Sequence, residues 1–293
     1  MTASTLQRNH VRHYFSRTQS KATMINTQPL LLEPKALQSL IGRPQVLIVD
    51  LSDPEIYNDA HIPGAVSLSY SDIVASQPPV VGLLPDEPSL SKIFSNISLT
   101  ANHHVIAYDN ENSAKACRLL WTLDCLGHKQ LSLLNGGLTA WNSAGMPTNN
   151  QAANIHASHY QAKIDQTAIA DKAFIQQHLK DPAVVLLDAR SDGEYKGEVV
   201  RAQRSGHIPG AVNINWIDTI DNDNDLRFKP ADELIALYED ADITKNKLII
   251  TYCHTHQRSA HSYIVLKSLG YPNVKGYHGA WSDWGNDPNT LIE

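Results

Sequence analysis

Short apolar runs alternate along this chain with longer stretches in which apolar and polar residues recur at helical spacing. Two of the runs, residues 183–187 and 248–252, have the length of a strand and show no alternation, which is typical of parallel strands buried on both faces. Residues 113–126 and 259–269 are predicted to form helices, the second of which stops at Gly270. The pattern therefore predicts an α/β fold with mainly parallel sheets flanked by helices.

The same pattern occurs twice, with matching motifs in the same order. Residues 61–66 and 207–212 are both His-Ile-Pro-Gly-Ala-Val, and Val-Ile-Ala-Tyr at 105–108 matches Ile-Ile-Thr-Tyr at 249–252. The repeated Pro-Gly pair is turn chemistry, so we interpret the hexapeptide as structural. A repeat of this length is a whole domain rather than a small stacking unit. We predict two tandem α/β domains.

The predicted domain boundaries follow from these repeats and from composition. The first domain is expected at residues 27–147, a polar linker at 148–164 and the second domain at 165–293. Residues 1–26 are interpreted as a disordered extension, since they hold basic residues and no acid. The same composition is typical of an organelle transit peptide, and a start at Met24 is a further alternative.

Composition limits the partners and the compartment. The chain has 293 residues and a net charge of −6, which argues against a nucleic-acid partner, and no apolar stretch is long enough to span a membrane. Cys117 and Cys125 lie eight residues apart on a predicted helix, too far apart to pair. With three cysteines in all, we expect reduced thiols, a cytoplasmic location and a monomer.

The candidate chemistry lies at Cys253, between a predicted strand and the helix that follows it. A thiol at this position faces the partial positive charge of the helix N-terminus, and this favours the thiolate. His254, His256 and Arg258 follow within five positions and are expected to add positive charge. Backbone N–H groups of such a loop can also hold an anion. The alternative is a buried, inert cysteine, which a polar loop containing an arginine disfavours.

The first copy lacks this chemistry. Aligning the repeats places Asp109 at the position of Cys253, and residues 109–112 are acidic where the second copy is basic. A carboxylate cannot act as a sulfur nucleophile. We therefore expect the first domain to be non-catalytic, to pack against the second and to wall one side of a cleft.

These motifs together resemble a known family. The repeated His-Ile-Pro-Gly-Ala element, an Asp after the first strand, Cys-x4-Arg in the second copy alone and the closing Trp-Ser-Asp-Trp-Gly-Asn-Asp-Pro at 281–288 resemble the two-domain rhodaneses over residues 27–293. Rhodaneses are thiosulfate or 3-mercaptopyruvate sulfurtransferases. The loop is most similar to a bacterial branch with Cys-Gln-Thr-His-His-Arg. It differs from the Cys-Gly-Ser-Gly-Val-Thr loop of mercaptopyruvate enzymes and from the Cys-Arg-Lys-Gly-Val-Thr loop of animal thiosulfate enzymes. Those enzymes also have an arginine where this chain has Glu194.

The resemblance implies a covalent mechanism without cofactor or metal. The Cys253 thiolate attacks the outer sulfur of a small anionic donor, and the resulting persulfide passes its sulfur to a thiophilic acceptor such as cyanide or a thiol. Loop amides, the helix dipole and Arg258 would stabilise the persulfide anion. Thiosulfate is the expected donor, because cationic groups favour a doubly charged anion. Activity is expected to fall as the loop histidines lose their protons.

The residues expected to bind the donor are His254, Thr255, His256, Gln257, Arg258 and Arg190. Asp188 is expected to support them by orienting Arg258 or Arg190, with a cap or a structural salt bridge as the alternative. For the two loop histidines, the alternative is that both are solvated polar residues without a role in binding the donor.

Four other functions compete with this prediction. A 3-mercaptopyruvate sulfurtransferase would use the same cysteine, and so would a persulfide carrier that feeds an acceptor protein. A cysteine phosphatase would need Cys-x5-Arg, one residue longer than the spacing here. A zinc site usually needs four ligands, and beside the loop no second ligand cluster is evident.

Overall fold

The computed structural model describes Met1 and residues 28–293. The predicted extension at residues 1–26, apart from Met1, lies outside these residues. Within the predicted linker, residues 150–164 form neither helix nor strand. They run beside the first domain, where the Ser158 N–H donates to the Ser95 carbonyl at 2.9 Å.

The first domain contains one parallel sheet, one hairpin and five helices among the described residues. Its strands are β1 (Leu31–Leu32), β2 (Val46–Asp50), β3 (Val66–Ser67), β4 (Ala75–Gln77), β5 (Val80–Leu83), β6 (His104–Tyr108) and β7 (Leu131–Leu134). Its helices are α1 (Pro34–Gln38), α2 (Pro54–Asp59), α3 (Glu87–Asn96), α4 (Ala114–Asp124) and α5 (Gly137–Ser143), with a 3₁₀ turn at Tyr70–Ile73. The sheet has the order β1-β7-β6-β2-β3 with every pair parallel, and β4–β5 form an antiparallel hairpin.

The second domain repeats this plan. Its strands are β8 (Ile169–Ala170), β9 (Val184–Asp188), β10 (Val212–Asn213), β11 (Ile220–Asp221), β12 (Arg227–Phe228), β13 (Leu248–Tyr252) and β14 (Val274–Tyr277). Its helices are α6 (Lys172–His178), α7 (Asp192–Tyr195), α8 (Ala231–Asp240), α9 (Arg258–Ser268) and α10 (Ala280–Trp284), with 3₁₀ turns at Gln166–Ala168 and Trp216–Thr219. The sheet order β8-β14-β13-β9-β10 is that of the first domain, again all parallel. The predicted α/β class with two mainly parallel sheets is confirmed.

The central strand of the second sheet positions the candidate site. β13 lies between β9 and β14, and Tyr252 at its carboxyl end is paired with Asp188 at the end of β9. Both strands are buried, which explains their uninterrupted apolar runs. Because parallel strands end at the same edge, the residues after Asp188 and Tyr252 meet there, where open α/β sheets bind ligands.

The two domains share one core, and the hairpin of each contacts the other, since β11 and β12 pair antiparallel in the second domain as β4 and β5 do in the first. Helices α4 and α9 pack against each other, and one apolar cluster includes residues of both. The β4–β5 hairpin contacts α10, where the Val81 N–H donates to Ser282 Oγ at 3.1 Å. In return, the Phe228 N–H of β12 donates to Asn135 Oδ1 of the first domain at 2.9 Å. In the part of the chain that the structure describes, no helix is both long and apolar enough to cross a membrane.

Candidate active site

Cys253 is the first residue after β13, and α9 begins five residues later at Arg258. The cysteine is 1% exposed. Burial raises the pKa of its thiol, but Arg258, the Ser259 hydroxyl and the N–H groups of Ser259 and Thr255 outweigh burial and lower the pKa below its usual value. The surroundings of Cys253 therefore favour a thiolate shielded from water, the form in which sulfur is a nucleophile.

Arg258 is fixed by a carboxylate from the neighbouring loop. Its two Nη atoms donate to both oxygens of Glu194 at 2.6 and 3.0 Å, the bidentate geometry that best orients a guanidinium. Burial opposes ionisation of Glu194, but Arg258 and Ser191 lower the pKa of its carboxyl to about 2. In the sequence, Glu194 was noted only because related enzymes have an arginine at this position. In the structure it orients the cation beside Cys253.

Arg190 and Asp188 form a separate buried pair. The Nε and Nη2 atoms of Arg190 donate to the Asp188 carboxylate at 2.5–2.9 Å, and Nη2 also donates to the Gly206 carbonyl at 2.8 Å. The guanidinium lies 4.5 Å from the centre of the Trp281 ring. Asp188 therefore orients Arg190 and not Arg258. Arg190, which was expected to bind the donor, lies in the core and is 2% exposed.

The loop histidines do not supply the expected positive charge. Burial and Arg258, with a smaller effect from Arg201, lower the pKa of His254. His256 is fully buried, and burial together with Arg118 lowers its pKa well below the usual value. Its ring packs edge-on against Trp121 with centroids 4.4 Å apart. The lowered pKa values therefore do not support the expected positive charge on these histidines, since burial and neighbouring arginines disfavour a protonated imidazole.

Thr255 and Gln257 act through their backbones. The Thr255 N–H bonds to Cys253 and its carbonyl accepts from Arg118. Gln257 is the N-cap residue of α9, without a side-chain capping bond, and its carbonyl accepts from the His261 N–H. The contacts of Thr255 and Gln257 that the structure shows are thus main-chain contacts, and the expected role of their side chains in binding the donor stays a prediction.

Three residues of the site were not predicted. Ser259 donates to Cys253, Arg201 contacts Glu194 at 2.9 Å with a 56% exposed side chain, and Arg118 reaches the loop from the first domain. One signal for Arg118 was present in the sequence, since it is a lone charge in an apolar stretch of α4. Such a residue is rarely fully buried unless it has a partner.

The first copy holds a carboxylate where the second holds its thiol. Asp109 follows β6 and is fully buried. Its oxygens each lie 3.0 Å from backbone nitrogens of Glu111, Ser113 and Ala116, which donate to them. A carboxyl group therefore occupies the cradle at the start of α4, and burial raises its pKa.

No metal-binding arrangement is found within the described part of the chain, residues 28–293, where no three His, Cys, Asp or Glu side chains cluster suitably. In the loop, His256 Nδ1 is already paired with Ser259 Oγ at 2.7 Å. What the loop offers is a set of N–H groups and arginines, and such groups bind anions.

Comparison with known proteins agrees with this geometry. The model of the rhodanese-like domain matches residues 33–144 and again residues 171–287. Thiosulfate sulfurtransferases of Azotobacter vinelandii and Pseudomonas aeruginosa are each 36% identical to this chain over 265 residues, covering 90% of it and 97% of the relative. The sulfur carrier protein TtuD of Thermus thermophilus is 34% identical and covers 88% of this chain and 94% of its own.

Among solved structures, the anaerobic ergothioneine biosynthesis enzyme from Chlorobium limicola is similar, with a TM-score of 0.81. It is 21% identical, and the match covers 90% of this chain and 70% of that one. At this identity the likeness concerns the fold. Two matches to one domain model and relatives above 30% identity along nearly the whole chain establish the family: this protein belongs to the rhodanese family of sulfurtransferases.

Proposed function

We propose that this protein is a thiosulfate sulfurtransferase that works through a persulfide of Cys253. The observation that carries the proposal is the setting of that thiol. It is buried, bonded by two N–H groups and a hydroxyl, and placed beside an arginine that Glu194 holds in position. These groups stabilise negative charge on sulfur before and after sulfur transfer.

In the first step, the Cys253 thiolate attacks the outer sulfur of thiosulfate. A new S–S bond forms to Cys253, and the S–S bond of thiosulfate breaks with its electron pair leaving on sulfite. In the second step, a nucleophile such as cyanide takes the terminal sulfur as thiocyanate, and the thiolate returns. Neither step needs an oxidant or an outside proton, because every species stays anionic.

The proposed preference for thiosulfate depends on the positive charge of arginine side chains. With both loop histidines neutral, Arg258 and Arg201 are the cations next to Glu194. Arg201 contacts Glu194 through Nε, and its Nη atoms have no partner among residues 28–293. An exposed guanidinium with free donors suits the oxyanion end of a doubly charged donor. The ratio of kcat/KM for thiosulfate and 3-mercaptopyruvate at one pH and salt concentration tests this preference.

Mass spectrometry provides the direct test of the reaction class. After incubation with thiosulfate, the peptide containing Cys253 should gain about 32 Da, the mass of one sulfur atom, and cyanide should remove it. An unmodified Cys253 peptide after full incubation would contradict the proposal.

A persulfide carrier is the second candidate, since a relative bearing the name of sulfur carrier protein is 34% identical. A carrier would form the same persulfide and pass it to an acceptor protein. Repeated turnover with cyanide or a small thiol would support the enzyme. A protein that discharges its persulfide once to these acceptors, and turns over repeatedly only with an acceptor protein, would support the carrier.

The pH dependence has a definite sign. Because the pKa of Cys253 is lowered from its usual value, the rate of persulfide formation should rise with pH through that lowered pKa and then level off. Both loop histidines have lowered pKa values and are neutral at neutral pH. Raising the pH from about 6 to about 8 should therefore remove less positive charge from the loop than two histidines with the usual pKa would lose.

Single-turnover rates with thiosulfate across this range measure that dependence. A rate that falls as pH rises would show that a histidine is charged, and would restore the dependence expected from the sequence.

A further inference from the structure

Arg118 of α4 is a fully buried cation that joins both domains. Its Nη1 atom donates to the carbonyls of Thr255 and His256, in the active-site loop, at 3.2 and 3.3 Å. Its Nη2 atom donates to the carbonyls of Gly82 and Leu83, in the β4–β5 hairpin, at 2.9 and 3.2 Å. One side chain of the non-catalytic domain therefore bonds to the loop that carries the nucleophile.

The charge of Arg118 has no carboxylate partner among residues 28–293, where its acceptors are all carbonyls. Burial lowers its pKa, and three groups raise it: Tyr70, Cys125 and Cys253. Burial raises the pKa of Tyr70 to about 12 and that of Cys125 well above its usual value, so both are neutral at neutral pH. Of the three, Cys253 alone has a lowered pKa, so it is the group whose ionised form would offset the charge of Arg118.

The bonds from Arg118 also set the direction of the loop amides. A trans peptide points its C=O and N–H in opposite directions. Because the carbonyls of Thr255 and His256 face Arg118, the N–H groups of His256 and Gln257 face away from it. His256 has a φ of 57°, a left-handed conformation that disfavours a non-glycine residue. Arg118 thus fixes the orientation of two successive peptide groups in the loop that follows Cys253.

The hairpin reinforces the same contact. At Gly82, whose φ is +82°, an added Cβ would lie 2.3 Å from the Thr255 carbonyl oxygen, so the two backbones touch directly. Ser282 Oγ, in α10, bonds to both the N–H and the carbonyl of Val81. The loop is thus held between Arg118 and a hairpin that is itself fixed to the second domain.

We infer that Arg118 is a positioning residue, by which the first domain shapes the Cys253 loop and stabilises the sulfur anion across the domain interface. The inference rests on the proposed sulfur transfer, because it assigns Arg118 a role in that reaction. The contact itself can be tested on the resting thiol. The first domain then takes part in the chemistry of the second without a nucleophile of its own.

The test replaces Arg118 with methionine and measures how the alkylation of Cys253 by iodoacetamide depends on pH, following the Cys253 peptide by mass spectrometry. In R118M the pKa of Cys253 should rise by about one unit, with a roughly tenfold slower alkylation below that pKa. Lys115→Met is the matched control. It removes one cation from the same helix, three residues earlier, where Lys115 pairs with Asp53 at 2.8 Å, and it should leave the pKa of Cys253 unchanged.

If R118M does not fold, Arg118→Gln gives the same test, because glutamine removes the charge yet can still donate to the loop carbonyls. A folded, charge-free variant with the wild-type pKa at Cys253 would overturn the inference, and so would an equal shift in K115M. Alkylation needs no sulfur donor. A failure of the proposed sulfurtransferase activity would appear separately, as a wild-type protein that forms no persulfide.

Discussion

Replacing Cys253 with serine is expected to abolish sulfur transfer from thiosulfate to cyanide and to leave the fold intact. A serine hydroxyl stays protonated in the setting that favours the thiolate, and an oxygen nucleophile does not form the persulfide that the second step needs. The residue is a small one inside a preformed loop, so packing should change little. Steady-state thiocyanate formation measures the activity, and thermal unfolding reports on the fold.

The other two cysteines of the chain provide the control for this variant. Cys117 and Cys125 are fully buried in and just after α4, and burial raises the pKa of both thiols. Serine at either position should therefore preserve turnover. Activity that survives in C253S, or that disappears in a folded C117S, would remove Cys253 from the central role.

Replacing Arg258 with alanine has the second largest expected effect. Loss of one preorganised cation beside a developing anion typically costs about two to three powers of ten in rate. The loss here should reach that scale, because R258A also leaves the buried Glu194 carboxylate, which is 3% exposed, with the exposed Arg201 as its remaining ion-pair partner among the described residues. Single-turnover persulfide formation is the appropriate measurement, since it isolates the step in which negative charge moves along the sulfur chain.

The double variant R258A/E194Q separates the two causes of that loss. If the Glu194 carboxylate, deprived of Arg258, adds to the loss of rate, the double variant should be faster than R258A alone. E194Q by itself should be mildly impaired, because Arg258 keeps its charge but loses the bidentate partner that orients it. A double variant slower than either single variant would show that Glu194 acts independently of Arg258.

The sequence predicted what local pattern controls. Uninterrupted apolar runs identified the buried parallel strands, and the strand-to-helix turn placed Cys253 at the sheet edge with Arg258 at the start of the next helix. These features depend on neighbours within a few positions. The duplicated motifs supplied the two-domain plan, because a repeat is visible without knowledge of how its copies pack.

What the sequence did not predict depends on distant contacts. Glu194 lies 64 positions from the arginine it orients, and Arg118 lies 137 positions from the carbonyl of Thr255. The lowered pKa of His256 follows from burial and from Arg118 of the other domain, which no local pattern shows. Pairings of this kind exist only once the sheets are assembled and the two domains meet.

The reciprocal hairpin contacts relate the two domains as the subunits of a symmetric dimer are related. Each domain places the same element on its neighbour, β4–β5 on α10 and β12 on Asn135, which is the reciprocal contact of an isologous two-fold dimer. A pair of identical ancestral chains joined in this way would have had two equivalent centres, each completed by the opposite copy. In the single chain, one centre holds Asp109 in place of a thiol, and the hairpin of its domain still contacts the loop of the other centre.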